Sequence, residues 1–407
     1  MAKLSVEDLN PKGQRVLVRV DFNVPLDAEG KVTDDTRIKA ALPTLKYLLE
    51  RGARVIVCSH LGRPKGKREP SMSLRPVVRV FSELLRRPVA FAEDCIGEGV
   101  QKMVAAMKDG DCLVLENLRF YAQEEANDGE FAKKLASLAD VYVNDAFGTA
   151  HRAHASTEGV TRYVKQAAAG FLMQKELKFL GDELANPPHP FVAILGGAKV
   201  SDKILVIQSL LEKADALMIG GAMAYTFLKG QGVDVGSSLV EADRVEITRQ
   251  LMKDAAAKGK KILLPVDHVI AKRVETDKLD KKGRKMVEFQ DVKNTAGTAV
   301  EAGFCGVDIG PGTVKAFSDA IGGSKTVLWN GPMGIFENKQ FAKGTFEVAR
   351  AVAQSGARSI IGGGDSVKAI HASGLADKIT FLSTGGGASL EFLEGKTLPG
   401  VAALTNK

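Results

Sequence analysis

The sequence predicts an α/β protein of two doubly wound parallel-sheet domains joined by a hinge helix. Three observations carry that prediction. At 407 residues the chain exceeds what one hydrophobic core usually supports, so two domains are expected. Apolar runs of strand length alternate with stretches of helical periodicity, the pattern of a parallel sheet with right-handed crossovers. The strand-like runs end in polar or glycine-rich loops, and open parallel sheets bind ligands at the carboxyl ends of their strands.

In the first half, Arg15–Val20 reads as a strand that delivers Asp21, Asn23 and Pro25 into a loop. A helix is expected from about Thr33, with Asp34 and Asp35 in its first turn, Arg37 inside it and a kink at Pro43. Arg54–Cys58 is the next strand and ends in Ser59-His60-Leu61-Gly62-Arg63-Pro64. After a helix around Leu74 to Arg87, Cys112–Leu115 delivers Glu116, Asn117 and Arg119. A helix over Glu130–Ala139 precedes Val141–Val143, which delivers Asn144, Asp145, His151, Arg152 and His154. Any one of these arginines reads most simply as a helix cap or a surface ion pair. Arg37, His60, Arg63, Arg119 and Arg152 at corresponding strand ends point instead to one basic site for a small, multiply charged anion.

Gln166–Leu184 reads as one long helix, stopped by Asn186-Pro187-Pro188-His189-Pro190. The domain connection is placed there, giving domains 1–170 and 171–389. The alternation restarts at Phe191–Leu195, Ala216–Ile219, Lys261–Pro265, Thr326–Trp329, Ser359–Ile361 and Ile379–Leu382. Lys272 to Lys293 reads as a charged excursion on the surface, a hairpin or loop. Glycines now hold the strand ends, at Gly220-Gly221, Asn330-Gly331-Pro332-Met333-Gly334, Gly362-Gly363-Gly364-Asp365-Ser366 and Gly385-Gly386-Gly387. Glycine permits close backbone approach, and this set suits a nucleotide.

The stretch Phe191–Lys203 organises that half. Its strand breaks at Gly196 and Gly197, and a helical pattern follows. Uncovered amides at a helix N-terminus favour an anion. Lys199 and Lys203, four apart, would share one helix face beside it. An ordinary turn with surface lysines is the plainer reading of this stretch alone; the similar turns elsewhere overturn it. No Walker loop and no G-x-G-x-x-G fingerprint is present, and the protein-kinase signatures are missing.

Composition agrees with a globular protein: 45% hydrophobic, 26% charged, with a net charge of +7 and a sequence pI near 9.0. Only 6% of residues are aromatic and no lysine/arginine block occurs, which weighs against specific nucleic-acid binding. Cys58, Cys95, Cys112 and Cys305 are scattered, so neither a disulfide framework nor a zinc site is expected. Neither a signal core nor a membrane-spanning run is visible. A cytoplasmic monomer without membrane contact is expected.

Seven stretches, quoted in order, then resemble one family. They are Arg19-Val20-Asp21-Phe22-Asn23-Val24-Pro25, Ser59–Pro64, Glu116-Asn117-Leu118-Arg119-Phe120, Asn144–Arg152, Gly196–Lys203, Trp329–Gly334 and Gly362–Ser366. Together they resemble phosphoglycerate kinase of the bacterial type. The resemblance implies two Rossmann-like domains and reversible phosphoryl transfer from 1,3-bisphosphoglycerate to MgADP, giving 3-phosphoglycerate and MgATP in glycolysis. It also implies hinge closure before in-line transfer, and a C-terminal segment of about 390–407 packing back on the first domain.

By the same resemblance, Asp21, Asn23, Arg37, His60, Arg63, Arg119 and Arg152 bind the glycerate substrate. Gly197, Ala198, Lys199, Lys203, Asn330, Pro332, Glu337, Gly363, Gly364, Asp365 and Ser366 bind nucleotide, with Asp365 on the magnesium. Arg37, Lys199 and Lys203 are the catalytic candidates. An acyl phosphate is already activated, so alignment and charge neutralisation suffice and no covalent nucleophile is needed. The alternatives are another acyl-phosphate kinase and a non-catalytic nucleotide or anion binder. The many arginines speak against the first, whose smaller acceptors lack a second phosphate to clamp.

Overall fold

The computed structural model describes residues 2–279, 283 and 285–407. Backbone contacts divide it into Met1–Gly181 with Lys396–Lys407, and Asp182–Gly395. The division falls inside the helical segment 171–185. Each unit is built on one six-stranded parallel sheet.

In the first unit the strands are β1 (Arg15–Arg19), β2 (Arg54–Cys58), β3 (Ala90–Phe91), β4 (Cys112–Val114), β5 (Val141–Asn144) and β6 (Ala167–Ala169), in the order β3-β4-β2-β1-β5-β6. β1 therefore has β2 on one side and β5 on the other, and the chain reverses its winding there. The apolar strands are buried on both faces, as helix-covered parallel strands must be. Val16, Val18, Phe22, Leu45 and Phe81 share one core, where the rings of Phe22 and Phe81 lie 5.2 Å apart.

The helix expected from Thr33 begins at Thr36, where the Asp34 carboxylate accepts from the Thr36 amide, and it runs through Pro43 to Glu50. The long helix expected over Gln166–Leu184 is not continuous. Its alanines form β6 on Tyr142–Asn144, and the helix starts only at Phe171. Alanine favours helix, but the open edge of β5 and a cap distant in sequence decide. Asp145 accepts from the amides of Leu172 and Met173 at 2.9 and 3.2 Å. The short β3 carries no periodic signal and was not expected from the sequence.

The returning tail is held by backbone. Leu4 N–H donates to Thr405, Thr405 N–H to Ala167, and Gly400 N–H to Ala150. Lys3 Nζ donates to the carbonyls of Ala402 and Leu404, and Lys407 pairs with Asp8 at 2.8 Å. The helix Gly387–Leu393 stays with the second unit.

In the second unit the large sheet comprises β7 (Phe191–Leu195), β8 (Ala216–Ile219), β9 (Lys261–Leu263), β13 (Thr326–Asn330), β14 (Arg358–Gly362) and β15 (Phe381–Leu382). Their order is β15-β14-β13-β7-β8-β9, so the winding reverses between β13 and β7. β10 (His268–Leu279), β11 (Lys285–Asn294) and β12 (Cys305–Ile309) make a separate antiparallel sheet in the order β11-β10-β12. The expected charged excursion is thus a hairpin, exposed along most of its length; Asp280, Lys281, Lys282 and Arg284 lie outside the described residues. β12 was not expected, because Cys305–Ile309 is short and interrupted by Gly306. Trp329, fully buried, donates its ring N–H to the Gly331 carbonyl at 2.7 Å.

Phe81→Ala removes a fully buried ring from the first unit and should cost about 3–5 kcal/mol of that unit's stability. Urea unfolding followed by far-UV circular dichroism should show an earlier transition, while Trp329 fluorescence, which reports the other unit, keeps its midpoint.

Candidate active site

In the first unit the predicted residues come from the loops after β1, β2, β4 and β5, except Arg37, which lies in the first turn of the helix Thr36–Glu50. Asp21 forms an ion pair with half-exposed Arg37 at 2.7 Å. Asn23 accepts from the Gly62 amide at 2.9 Å, which ties the loop after β1 to the loop after β2. Asn117 holds the same region from below, donating to the carbonyls of Leu61 and Met72.

His60 is buried, and its Nδ1 lies 3.3 Å from Nη2 of Arg19. Burial and the charges of Arg19, Arg119, Arg37 and Arg152 hold its pKa well below the usual histidine value. The ring is therefore neutral at physiological pH. Arg37, Arg119 and Arg152 thus all lie close enough to His60 for their charges to act on its ring. Arg63 stands exposed on the loop after β2, with no hydrogen bond or ion pair among the described residues.

Arg119 carries the sharpest signature. Its side chain is 2% exposed and donates through Nη1 to the Gly62 carbonyl at 3.0 Å. Glu125 is its ion-pair partner at 3.4 Å, yet Nε and Nη2 make no hydrogen bond. A buried guanidinium with unmet donors is costly unless an anion completes it. His154, nearby and buried, has its pKa lowered to about 3 by burial and by Arg119, Arg19 and Arg152. Burial first, and the nearby cations second, thus keep both imidazoles in their neutral form.

The sequence pointed to Arg37, His60, Arg119 and Arg152 but passed over Arg19, Glu124 and Ser156, which lie behind them. The available signal was Arg19 itself, a charge that directly follows the apolar run Val16-Leu17-Val18.

In the second unit the loops after β7, β8 and β13 are interlaced. Gly196 N–H donates to Asn330, Gly197 N–H to Pro332, Gly221 N–H to Met333 and Met223 N–H to Gly197. A Cβ at Gly331 would collide with the Gly196 carbonyl, and Gly331 has a φ of +100°. The close approach that glycine permits here is of loop to loop.

This arrangement corrects the expected cradle in two respects. The amides of Gly196 and Gly197 are not uncovered, since carbonyls of the β13 loop occupy them. Lys199 and Lys203 do not share a helix face, because the helix begins only at Ile204. The cause is Glu241, whose carboxylate accepts from the amides of Val200 and Ser201 and from the Ser201 hydroxyl, holding 198–203 as turns. Lys199 is left exposed. Lys203 turns inward, 7% exposed, and its Nζ donates to the carbonyls of Gly196 and Asn330 and to Asn330 Oδ1 at 2.7–2.9 Å. Burial lowers its pKa to about 8, while Asp202 and Asp365 oppose the fall. At pH 7 it remains an ammonium, with all three hydrogens given to protein oxygens.

Above these loops lies a pocket of about 630 Å³, within the size range of small-molecule sites. Gly197, Ala198, Pro332, Glu337 and Asp365 from the predicted set line it. Asn330 and Ser366 sit buried below: Asn330 Nδ2 lacks a partner, and Ser366 Oγ accepts from the Gly331 amide. Gly363, at φ +87°, lies against the Asn330 side chain. Gly364 opens the helix Gly364–Ala372, with Asp365 in its first turn, 3.0 Å from Lys368.

The sequence reading missed Tyr225, Arg273, Phe289 and Asp308 on the pocket wall. Arg273 and Phe289 are cross-strand partners midway along the hairpin. The alternation Val287, Phe289 within a polar stretch was the available signal. Asp308 is buried, accepts from the Ile309 and Gly344 amides at 2.9 and 2.6 Å, and burial raises its pKa to about 7.

No metal cage is needed for magnesium that arrives on nucleotide phosphates, since such sites use one or two protein carboxylates. Among the described residues no cluster of three or more acidic, histidine or cysteine side chains offers a cage. Asp365 is a carboxylate of the required kind at the pocket edge.

Comparison with known proteins gives the class, a nucleotide-dependent phosphotransferase. A family model for phosphoglycerate kinase matches residues 6–396. The phosphoglycerate kinase of Koribacter versatilis is 58% identical over 414 residues, covering the whole of both chains. That of Clostridium botulinum is 56% identical over 407 residues, covering all of this chain and 99% of its own. Among solved structures, phosphoglycerate kinase from Coxiella burnetii aligns with a TM-score of 0.83 at 41% identity, and that from Pyrococcus horikoshii with 0.83 at 35%, each over 98% of both chains.

The chain belongs to the phosphoglycerate kinase family. Its reaction is the reversible transfer of a phosphoryl group between 1,3-bisphosphoglycerate and MgADP, forming 3-phosphoglycerate and MgATP in glycolysis. No helix among the described residues is long and apolar enough to cross a membrane.

Asp308 gives a pH test of the pocket wall. Its folded pKa of about 7 lies above the ordinary aspartate value of about 4. The native state therefore keeps a proton that the unfolded chain has lost, and this group's contribution to stability falls as pH rises between those values. Asp308→Asn should be less stable overall, because one backbone acceptor is lost, yet flatter between pH 5 and 8 when urea unfolding is followed by Trp329 fluorescence.

Proposed function

We propose that the arginine cluster of the first unit binds the glycerate ligand through Asp21, Asn23, Arg37, His60, Arg63, Arg119 and Arg152. We propose equally that the pocket of the second unit takes the nucleotide. The observation that carries the first assignment is Arg119, buried with Nη2 unpartnered and Nε held only by the 3.4 Å ion pair to Glu125. A phosphate or carboxylate supplies the acceptor that Nη2 lacks. Gly197, Ala198, Asn330, Pro332, Glu337 and Gly363–Ser366 then form the nucleotide site, with Asp365 facing the magnesium that the nucleotide carries. Asn330 Nδ2, buried and unpartnered, supports that reading.

Catalysis in this scheme is alignment and charge neutralisation. The acceptor carboxylate is already ionised at neutral pH, so no base is needed. His60, neutral, offers one N–H and orients the anion. Arg37 is the mobile cation: it is half exposed and held by one carboxylate, which leaves guanidinium donors for the transferring group. Lys203 reaches a phosphate only by releasing one of its three carbonyls, and exposed Lys199 supports it from the loop. The protein works in the cytoplasm as a monomer; its four buried, unpaired cysteines suit a reducing compartment.

Arg37→Ala should reduce kcat by about 100-fold or more while the KM for MgADP changes by less than about 3-fold, because the charge it neutralises develops in transfer. A coupled NADH-oxidation assay measures both, and equal losses would remove Arg37 from the catalytic set. Lys203, with a pKa of about 8, loses its charge as pH rises through that value. MgADP affinity by calorimetry should therefore weaken between pH 7 and 9 in the wild type, and Lys203→Arg should abolish the trend.

A further inference from the structure

Behind the arginine cluster lies a buried chain of hydrogen bonds whose direction is fixed by its two ends. Glu124 is fully buried, and its carboxylate accepts twice from Ser156: from the hydroxyl at 2.5 Å through Oε1 and from the amide at 2.9 Å through Oε2. Ser156 has one hydroxyl hydrogen, and Glu124 takes it. The lone pairs of Oγ are then what remains for Arg19, whose Nε donates to Oγ at 2.8 Å. Nη1 of Arg19 donates to the Val20 carbonyl, and Nη2 lies 3.3 Å from His60 Nδ1. A guanidinium has donors only, so Nδ1 must be the acceptor nitrogen. The single ring hydrogen of neutral His60 therefore resides on Nε2.

We propose that Glu124 and Ser156 are positioning residues for the anion site, which act through Arg19 to hold His60 as the tautomer with its hydrogen on Nε2. This inference rests on the reading of the cluster as the glycerate site. Electrostatics point the same way. Arg19 is fully buried, and Arg119 and Arg152 act on the same histidines. A carboxylate within this group lowers the self-repulsion of the cations without reaching the ligand. Burial raises the Glu124 pKa, and Arg19, the two Ser156 donors and Arg119 oppose the rise without cancelling it. Removing the acid's charge frees the Ser156 hydroxyl to turn. A hydroxyl hydrogen aimed at Arg19 Nε would oppose the Arg19 donor and release the guanidinium that fixes the imidazole.

The test compares Ser156→Ala, Glu124→Gln and, as a direct ligand control, Arg119→Gln. Nitrogen-15 spectra of histidine-labelled protein read the tautomer of His60, assigned with His60→Gln. Calorimetry reads affinity for 3-phosphoglycerate and for MgADP. The wild type should show Nδ1 as the unprotonated nitrogen. Both relay variants should mix the two tautomers and weaken 3-phosphoglycerate about tenfold or more, with MgADP changed less than about twofold. If Glu124→Gln does not fold, Ser156→Ala, which removes one oxygen, decides alone. An unchanged His60 spectrum with unchanged 3-phosphoglycerate affinity, while Arg119→Gln loses that affinity, overturns the relay and leaves the glycerate site standing. Retention of 3-phosphoglycerate affinity in Arg119→Gln overturns the glycerate site and the relay with it.

Discussion

The constraint on which both units depend is the reversal of winding in a parallel sheet. Where two neighbouring strands send their connections in opposite directions, their carboxyl ends part and a crevice opens. In the first unit that place lies between β1 and β5, in the second between β7 and β13. The two strands stay paired up to those ends, and the last carbonyls, where the ladder stops, must find donors in the loops. The two units meet that demand differently. In the first, the Asp145 amide donates to the Arg19 carbonyl, and the crevice is edged with cationic side chains. In the second, Gly196 N–H and the Lys203 ammonium fill it. One geometric problem thus yields a basic cleft on one sheet and a tightly laced glycine floor on the other.

Burial of charge sets the character of each site. In the first unit, burial and concentrated like charge keep the two buried histidines neutral, and Nη2 of Arg119 is left without a partner. Under the proposed glycerate site, an anionic ligand would remove that deficit, so ligand affinity and the cost of the unliganded cluster would share one origin. In the second unit the buried cation Lys203 is saturated by carbonyls. Its role in the free protein is structural, since it binds the end of β13 to the loop after β7. The same ammonium is therefore a tie in one state and a candidate phosphate ligand in another.

Much of this was legible in the chain. The strands Arg54–Cys58 and Phe191–Leu195 were read to the residue because buried parallel strands are continuous apolar runs bounded by polar loops. The candidate site residues were legible because they follow such runs directly. Three things were not. Ala167–Ala169 carries a helical preference that pairing with β5 overrides. The turn 198–203 depends on Glu241, some forty residues away, and local spacing cannot report such a partner. Asp308 and Arg273 join the pocket through the small antiparallel sheet, whose contribution emerges only when β10, β11 and β12 are assembled. Local pattern finds elements and their ends; it does not find carboxylates that cap or clamp from a distance.

The returning tail has a consequence for synthesis. Residues 182–395 form one unbroken stretch, whereas the first unit takes its last segment, Lys396–Lys407, from beyond that stretch. Lys3, Leu4, Ala150 and Ala167 all wait for backbone partners between Gly400 and Leu404 or Thr405. On a ribosome delivering about 5–20 residues per second from the N-terminus, the unit begun first is thus completed last. The later-made unit is whole while its predecessor still lacks its closing strap. Nascent chains of this protein carry the open edge beside β6 and Lys3 through nearly the whole of translation, and any cellular factor that shields incomplete chains would meet it there.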